Sequence, residues 1–362
     1  MPYKSRWTVP IPDCSLPTFL FQSAEYEEPP EIANKPAYLD ASKPDTHHLT
    51  RRSFKLWAQR FALGLTKLPG FKPGERVLVF SGNNLGVAVA FMGILMAGGI
   101  FTAANPSFTS RELANQLKDS EACYLLCAEP SLEVGIEAAK QLGMTADRIR
   151  YFDADVLFEN NGDKKPSKSG VQYWASVFAP ENQAKSYQWP ELKGKDEAKE
   201  TVLALNYSSG TTGVPKGVMV THRNYVSNCL QHQHLGSLYP DAEARRKRSR
   251  WLCFLPLYHA MAQTIYLAGA YMRGTPTYVM SKFDFVELLE NIQKFRITDL
   301  QMVPPIAVMI AKHPIVKKYD LSSIEAIGSG AAPLGSEASR EVEKVFDNRM
   351  NLKQGWGMTE SV

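Results

Sequence analysis

Residues 208–217 read Ser-Ser-Gly-Thr-Thr-Gly-Val-Pro-Lys-Gly and carry the groups that proteins use to hold a polyphosphate. The three glycines let backbone N–H groups approach an anion closely, because no Cβ stands in the way. The hydroxyls add hydrogen-bond donors, and Lys216 supplies a positive charge. Residues 201–207 predict a buried strand, so the loop would lie at a sheet edge, where α/β proteins bind ligands. The predicted phosphate-binding residues are Ser208, Ser209, Gly210, Thr211, Thr212, Gly213 and Lys216.

The same loop has two other possible interpretations. A Walker-type phosphate loop needs a hydroxyl directly after its lysine to hold magnesium. Here Gly217 follows Lys216 and Pro215 stiffens the approach, which excludes that motif. A polar surface turn is the other alternative, since Ser, Thr, Gly and Pro cluster in loops. The run without an apolar residue before Val214, ending in a lysine, favours the phosphate site.

Three later segments place polar or small residues at predicted strand ends. Residues 254–260, Phe-Leu-Pro-Leu-Tyr-His-Ala, present a tyrosine and His259. Residues 328–334, Gly-Ser-Gly-Ala-Ala-Pro-Leu, would let a flat ring approach the backbone, although a tight strand-to-helix turn is the favoured interpretation of this segment taken alone. Residues 354–360, Gln-Gly-Trp-Gly-Met-Thr-Glu, offer an aromatic ring for stacking on a purine. Their Glu360 is an oxygen donor of the kind that Mg²⁺ takes beside phosphates.

The composition is that of an ordinary globular protein. A net charge of +4 over 362 residues does not indicate a nucleic-acid surface, and Arg245–Arg248 with Arg250 predicts a solvated loop. The five cysteines are odd in number and scattered, which favours packing thiols in a reducing compartment over a metal pair. Residues 83–108 lack charge, but glycines interrupt them, so a buried helix followed by a strand is favoured over a membrane span. The first twelve residues show no signal peptide.

Strand-like and helix-like patterns alternate along the chain, which predicts an α/β fold with doubly wound parallel sheets. We expect an irregular N-terminal arm over residues 1–48, a first α/β subdomain over 49–195 and a second over 196–362. The composition shift between Asn160 and Glu200 sets that boundary. Predicted strands include 77–80, 100–104, 122–127, 201–207, 251–255, 277–280, 300–303 and 326–328. Predicted helices begin at Thr50, after Asn84, at Ser110 (as the cap), at Thr221 and at residues 260, 285 and 336.

Taken together and in this order, the four segments resemble the signatures of the adenylate-forming superfamily, within it most closely the 4-coumarate–CoA ligase-like enzymes of fungi. The similarity covers essentially the whole chain. It implies two stacked doubly wound subdomains and an acid–thiol ligase. A carboxylic acid, aromatic or medium-chain, would attack MgATP to give an acyl-adenylate, and coenzyme A would then take the acyl group. Partners would be these small molecules, with no nucleic acid and no membrane span.

The resemblance also implies roles for individual residues. Lys216, His259, Thr359 and Glu360 would be catalytic, with Thr359 on the α-phosphate, Glu360 on Mg²⁺ and His259 facing the acid. The nucleotide would contact, besides the phosphate loop, Gly330, Ala331, Gln354, Gly355, Trp356, Gly357 and Thr359, with Trp356 lying against the adenine. The acid pocket would draw on Tyr258, His259, Met261, Met302, Val303, Pro304, Gly328 and Gly330.

Related enzymes continue beyond the position of Glu360 with an aspartate for the ribose and a small domain carrying a catalytic lysine. We therefore expect residues 1–362 to be an incomplete N-terminal domain with weak or no turnover, as part of a ligase found in the cytoplasm or peroxisome. Two alternatives stay open: a nucleotide- or acyl-binding protein without turnover, and an adenylation domain of a peptide synthetase. The Pro-Leu-Tyr-His turn at 256–259 favours the CoA-ligase branch over the latter.

Overall fold

The computed structural model describes residues 5–158, 165–208 and 215–361 of the chain. Two seven-stranded sheets form its framework. The first has the order β7-β6-β5-β3-β4-β8-β9 and the second the order β14-β13-β12-β10-β11-β1-β2. Pairing is parallel except between β8 and β9 and between β1 and β2. The predicted α/β class with mainly parallel sheets is confirmed.

The strands of the first sheet are β3 (Arg76–Phe80), β4 (Ile100–Ala104), β5 (Tyr124–Ala128), β6 (Ile149–Phe152), β7 (Gln172–Tyr173), β8 (Val202–Ser208) and β9 (Lys216–Thr221). Those of the second are β1 (Pro36–Asp40), β2 (His48–Thr50), β10 (Trp251–Cys253), β11 (Thr277–Val279), β12 (Asp299–Met302), β13 (Ala326–Ser329) and β14 (Lys353–Gln354).

The α-helices are α1 (Leu16–Phe21), α2 (Pro30–Ala33), α3 (Arg51–Leu65), α4 (Leu85–Met96), α5 (Ser110–Ser120), α6 (Leu132–Gln141), α7 (Glu181–Ala184), α8 (Lys195–Glu200), α9 (His222–Ser237), α10 (Ala242–Arg248), α11 (Ala260–Ala262), α12 (Ala270–Arg273), α13 (Phe285–Phe295), α14 (Pro304–Lys312) and α15 (Ser336–Val345). A π-helical segment, Gln263–Gly269, joins α11 to α12.

Helix α4 explains the long uncharged stretch of the sequence. All of its residues are buried, so no polar face is needed. It packs closely on α3, where a Cβ on Gly93 would lie 2.8 Å from the Phe61 ring and 3.0 Å from the Ala58 carbonyl oxygen. Throughout the described part of the chain, no helix is long and apolar enough to cross a membrane. The favoured interpretation, a buried helix leading into strand β4, matches the structure.

The N-terminal segment is more ordered than the irregular arm expected over residues 1–48. Within its described part, from residue 5 onward, it forms α1, α2, β1 and the first residue of β2. Strand β1 pairs in parallel with β11, more than 200 residues later, and Tyr38 at its centre is buried. Local sequence patterns carry no information about so distant a partner, which is why the strand was missed.

The strand pairing does not follow the expected subdomain boundary at 195/196. Strands β8 and β9 belong to the second half of the chain, yet β8 pairs with β4 and completes the first sheet. The phosphate-loop hairpin is therefore the edge of the first sheet, whereas the three later motifs belong to the second. Both halves of the chain are needed to place these segments together.

Two smaller expectations differ from the structure. Thr109 rather than Ser110 caps α5, and its Oγ1 accepts a hydrogen bond from the Glu112 N–H. The basic run at Arg245–Arg248 lies in helix α10 instead of a loop, where Asp241, Glu243 and Glu325 pair with its arginines. The expectation of packing thiols fits the structure, since Cys127, Cys229 and Cys253 are buried and all five thiols are free.

Candidate functional site

The phosphate-loop candidate emerges from the hairpin of β8 and β9. Ser208 ends β8 and lies opposite Lys216, the first residue of β9. Ser209, Gly210, Thr211, Thr212 and Gly213 lie outside the described residues, as does Val214. The Oγ of Ser208 is buried and has no hydrogen-bond partner among the residues that the structure describes, whereas Lys216 is exposed. The hydroxyl of Ser208 thus lies before the loop, and the exposed ammonium-bearing side chain of Lys216 follows it.

Tyr207 joins this hairpin to helix α5. Its hydroxyl donates to Asp119 Oδ2 at the end of α5 over 2.6 Å. Burial and the Asp119 carboxylate raise the pKa of Tyr207 well above its ordinary value, so the phenol stays protonated as a donor. The ring passes over Gly217, where a Cβ would lie 3.1 Å from Tyr207 Cζ. Glycine at this position allows the close crossing that fixes the base of the loop.

His259 stands at the start of α11, after the turn that follows β10. It is the helix N-cap, and its Nδ1 accepts from the Met261 N–H over 3.3 Å. The imidazole keeps an exposed edge, but surrounding atoms remove part of its hydration and lower its pKa below the ordinary value. The ring is therefore neutral at neutral pH. A neutral imidazole can approach an anionic acid as a hydrogen-bond donor through Nε2.

Asn83 is a residue of this region that sequence reasoning did not single out. It follows β3 of the first sheet, yet its amide reaches the turn before His259 in the second sheet. Nδ2 donates to the Leu255 carbonyl over 2.9 Å, and Oδ1 accepts from the Leu257 N–H over 2.8 Å. A signal was present, since two consecutive asparagines lie in the short turn after a predicted strand, but the distant partner of Asn83 could not be read from the sequence.

The small residues after β13 lie beside the turn of His259. A Cβ on Gly330 would be 3.4 Å from Met261 Cε and 3.5 Å from the Gly355 carbonyl oxygen, so the three segments meet here. The Gly330 N–H donates to the carbonyl of Met302, which is buried at the end of β12. Ala331 has a φ of 69°, a left-handed conformation unusual for a residue with a side chain. Such strain is often found at ligand sites.

The other predicted acid-pocket residues lie on the same strand ends and turns. Tyr258 is half-buried, and burial raises the pKa of its phenol. Val303 and Pro304 lead from β12 into α14 and are partly exposed. Gly328 lies within β13, where a Cβ would come 2.8 Å from Gln301 Oε1. The predicted acid-pocket set thus lies around the carboxyl ends of β10, β12 and β13.

The C-terminal motif follows β14 and runs back toward the first sheet. The side chain of Gln354 is bonded to the backbone of Leu334. Its Oε1 accepts from the Leu334 N–H over 3.2 Å, and its Nε2 donates to the Leu334 carbonyl over 3.0 Å. The Gly355 N–H donates to the Ser329 carbonyl over 2.9 Å. Trp356 is 82% exposed, which leaves its ring free to receive a flat partner. Gly357 follows it in exposed backbone.

Thr359 and Glu360 form a 3₁₀ turn, Thr359–Ser361, that lies against β8 and β9. The last motif, which follows β14 of the second sheet, thus contacts β8 and β9, the two strands that flank the predicted phosphate loop. Glu360 is exposed at that point. The structure thus brings the turn of Thr359 and Glu360 to the strands that carry Ser208 and Lys216. Separately, it brings Gly330 close to Met261 and Gly355, and His259 caps the helix of Met261.

The donors available fit a magnesium nucleotide. Two buried hydroxyls, Ser208 Oγ and Ser329 Oγ, find no partner within the described ranges and can donate to a ligand. The same ranges hold no group of three or more His, Cys, Asp or Glu residues that could bind a metal. Mg²⁺ commonly takes one or two carboxylates and completes its shell with phosphate oxygens and water, so the exposed carboxylate of Glu360 would suit it.

Comparison with known proteins gives the same picture. The family model described as "AMP-binding enzyme" matches residues 28–362. The chain is similar to 4-coumarate–CoA ligase 1 of Petroselinum crispum, with 33% identity over 354 residues that cover 97% of this chain and 59% of that protein. It is also similar to a phenylacetyl-CoA ligase of Aspergillus niger, with 30% identity over 361 residues, 99% of this chain and 62% of that protein.

A long-chain-fatty-acid-CoA ligase of Archaeoglobus fulgidus shares the fold. Its solved structure superposes with a TM-score of 0.77 at 20% identity, over 98% of this chain and 66% of that one. The chain therefore spans about three fifths of the length of the two curated relatives. With a family model that covers nearly the whole sequence, the chain belongs to the AMP-binding enzymes.

Proposed function

We propose that this chain is the nucleotide- and acid-binding part of an ATP-dependent acid–thiol ligase. The observation that carries this proposal is the contact between the Thr359–Ser361 turn and the strands flanking the phosphate loop. It supports a site in which Glu360, Thr359 and Lys216 would surround the polyphosphate of ATP. The relatives, which are acyl- or aryl-CoA ligases by name, support the same reaction class.

In the first step, a carboxylate oxygen of the acid attacks the α-phosphorus of ATP, and the bond to the bridging oxygen of the β-phosphate breaks. The products are an acyl-adenylate and pyrophosphate. Both reactants are anions, so the step gains chiefly from charge neutralisation and alignment. Lys216 and the loop hydroxyls would hold the β- and γ-phosphates, Thr359 would contact the α-phosphate, and Glu360 would bind Mg²⁺, which neutralises the phosphate charge when bound.

The acid would enter beside His259. Because the pKa of this imidazole is lowered, it can donate to the carboxylate from Nε2 without itself forming a tight ion pair. Met261, Met302 and Val303 offer an apolar wall, which suits an aromatic or medium-chain acyl group. On the nucleotide side, the exposed ring of Trp356 would stack on adenine, with Gly330 and Ala331 approaching it at the backbone.

In the second step, the thiol of coenzyme A attacks the acyl carbonyl carbon, a thioester bond forms, and AMP leaves with the bonding electron pair. We propose this step for the whole protein, because the two ligases compared above are considerably longer than this chain. The residues described here would keep the acyl-adenylate in place while the thiol approaches.

The proposal is tested by exchange of labelled pyrophosphate into ATP, with residues 1–362 and a panel of aromatic and medium-chain acids. Acid-dependent exchange, lost in Lys216→Ala and Glu360→Gln, supports adenylate formation. Binding of ATP without exchange by any acid would instead support a nucleotide-binding role without turnover for this chain. Failure to bind either nucleotide or acid would refute the proposal.

A further inference from the structure

The turn that carries His259 is held by a side chain from the other sheet. Residues 254–259 connect β10 to α11 and form neither helix nor strand, so their backbone groups need other partners. Asn83 supplies two of them, since its amide donates to the Leu255 carbonyl and accepts from the Leu257 N–H. With the side chain buried, these bonds are shielded from competing water.

The two hydrogen bonds of Asn83 lie on either side of Pro256, the residue that accepts from the His259 backbone. Pro256 lies between the two clamped residues, and its carbonyl accepts from the His259 N–H over 3.0 Å. His259 in turn caps α11 through the Met261 N–H, and Met261 packs beside Gly330. A shift at Leu255 or Leu257 would therefore pass through Pro256 to the imidazole and to the apolar wall beside it.

Asn83 is well placed to hold this turn against the first sheet. It lies three residues after the end of β3 and precedes the buried helix α4, which begins two residues later. Its neighbour Asn84 has a different task, because its Oδ1 accepts from the Val87 N–H and caps α4. The two adjacent asparagines thus have different partners: Asn84 caps helix α4, and Asn83 bonds to the turn that follows β10 of the other sheet.

We propose that Asn83 is a positioning residue for the acid half of the site, acting through the turn of His259. This inference rests on the proposed function in one respect, namely that His259 faces the acid. Within the described ranges, the side chain of Asn83 makes its hydrogen bonds to the second sheet and none to β8, β9 or the Thr359–Ser361 turn, which form the nucleotide half, so we expect the two halves to respond differently to its loss.

Two probes separate these halves in binding measurements on residues 1–362. Sulfamoyl-adenosine occupies the nucleotide side alone, and its cinnamoyl derivative, a non-reactive mimic of an aryl-adenylate, adds the acyl side. We expect Asn83→Ala to raise the dissociation constant of the cinnamoyl probe at least tenfold while that of sulfamoyl-adenosine changes less than twofold. The matched control Asn84→Ala removes a helix cap and lowers stability, but leaves both constants unchanged.

A double mutant tests whether Asn83 acts through His259. If it does, Asn83→Ala adds little to the loss already caused by His259→Ala, because both changes remove the same contact. Additive losses, equal weakening of both probes, or no change in either probe would overturn the inference. If the unsubstituted protein bound neither probe, the proposed function would fall, and a second measurement would decide the role of Asn83.

That second measurement is NMR titration of the His259 imidazole without ligand. In the unsubstituted protein the pKa of His259 lies below its ordinary value because the turn crowds the ring. Releasing the turn hydrates the ring, so Asn83→Ala should move this pKa toward the ordinary value, whereas Asn84→Ala should not. An unchanged titration in Asn83→Ala would overturn the positioning role whatever the probes show.

Discussion

At the scale of single residues, the site depends on where a side chain is absent as much as on where one is present. Gly330 illustrates this, since its missing Cβ leaves space between Met261 and Gly355. The sequence indicates that residues 328–334 could admit a flat ring, but taken alone it favours a tight turn. Only the approach of Met261 and Gly355 from distant segments shows that a cradle exists there.

Gly330→Ala should separate stability from binding. The new methyl would lie 3.4 Å from Met261 Cε, an ordinary contact, so the free energy of unfolding should change by about 0.5 kcal/mol or less. The same methyl narrows the cradle, and AMP affinity should fall about tenfold, or ~1.4 kcal/mol. Denaturant unfolding and calorimetric titration measure the two effects. Unchanged AMP affinity would show that the nucleotide does not lie against Gly330.

His222 makes stability depend on pH. It is buried, and its Nδ1 accepts from the Leu16 N–H over 3.0 Å, while burial lowers its pKa to about 4. As the pH falls, His222 therefore becomes protonated in the unfolded chain at a higher pH than in the folded protein. The contribution of neutral His222 to the free energy of unfolding is complete above pH 6.5. It is lost as the pH falls toward 4, which lowers that free energy by about 3 kcal/mol. Urea unfolding at several pH values measures it.

The matched variant for this prediction is His222→Gln, whose Oε1 can accept the Leu16 N–H but does not titrate. Its unfolding free energy should fall less between pH 6.5 and pH 4 than that of the unsubstituted protein. Parallel curves for the two proteins would show that His222 takes no part in the pH dependence.

At the scale of elements, periodicity located most helices and strands well. The strand Ile100–Ala104 has the predicted bounds and the helix Phe285–Phe295 begins at the predicted residue, because their apolar residues and flanking caps are local signals. The cap of α5 was assigned one residue late, since threonine and serine stand side by side and both can cap a helix. The hydrogen bonds single out Thr109.

Substitution of the two candidate caps distinguishes them. Thr109→Ala removes the acceptor of the Glu112 N–H and should lower the unfolding free energy by about 1 kcal/mol. Ser110→Ala, at the first position of the helix, should change it by less than half as much, since alanine favours helix interiors. Equal losses in thermal or denaturant unfolding would contradict the assignment of the cap.

At the scale of the whole molecule, the two sheets are built from interleaved parts of the chain. Strands β8 and β9 complete the first sheet, and β1 and β2 complete the second. Residue types predicted the four motifs but not these exchanges, because parallel pairing between distant segments leaves no periodic trace. The hydrogen bonds of Asn83 to Leu255 and Leu257 could not be predicted for the same reason, because these partners are some 170 residues away.

The interleaving predicts that the N-terminal segment is part of the fold. A chain beginning at residue 51 would lose β1 and expose β11, along with the buried contacts of Tyr38, whose hydroxyl bonds the Leu267 carbonyl over 2.9 Å. We expect such a chain to lack a cooperative unfolding transition by calorimetry. A chain beginning at residue 12 keeps β1 and should retain the transition. Cooperative unfolding of the shorter chain would contradict this role for β1.

The central claim is that the β8–β9 loop and the Thr359–Ser361 turn together hold the polyphosphate of ATP. It is tested most directly by titrating residues 1–362 with MgATP and with AMP, in the unsubstituted protein and in Lys216→Ala. We expect Lys216→Ala to weaken MgATP binding at least tenfold while AMP affinity stays within twofold, because AMP lacks the outer phosphates. Equal effects on both nucleotides, or none on MgATP, would contradict the account.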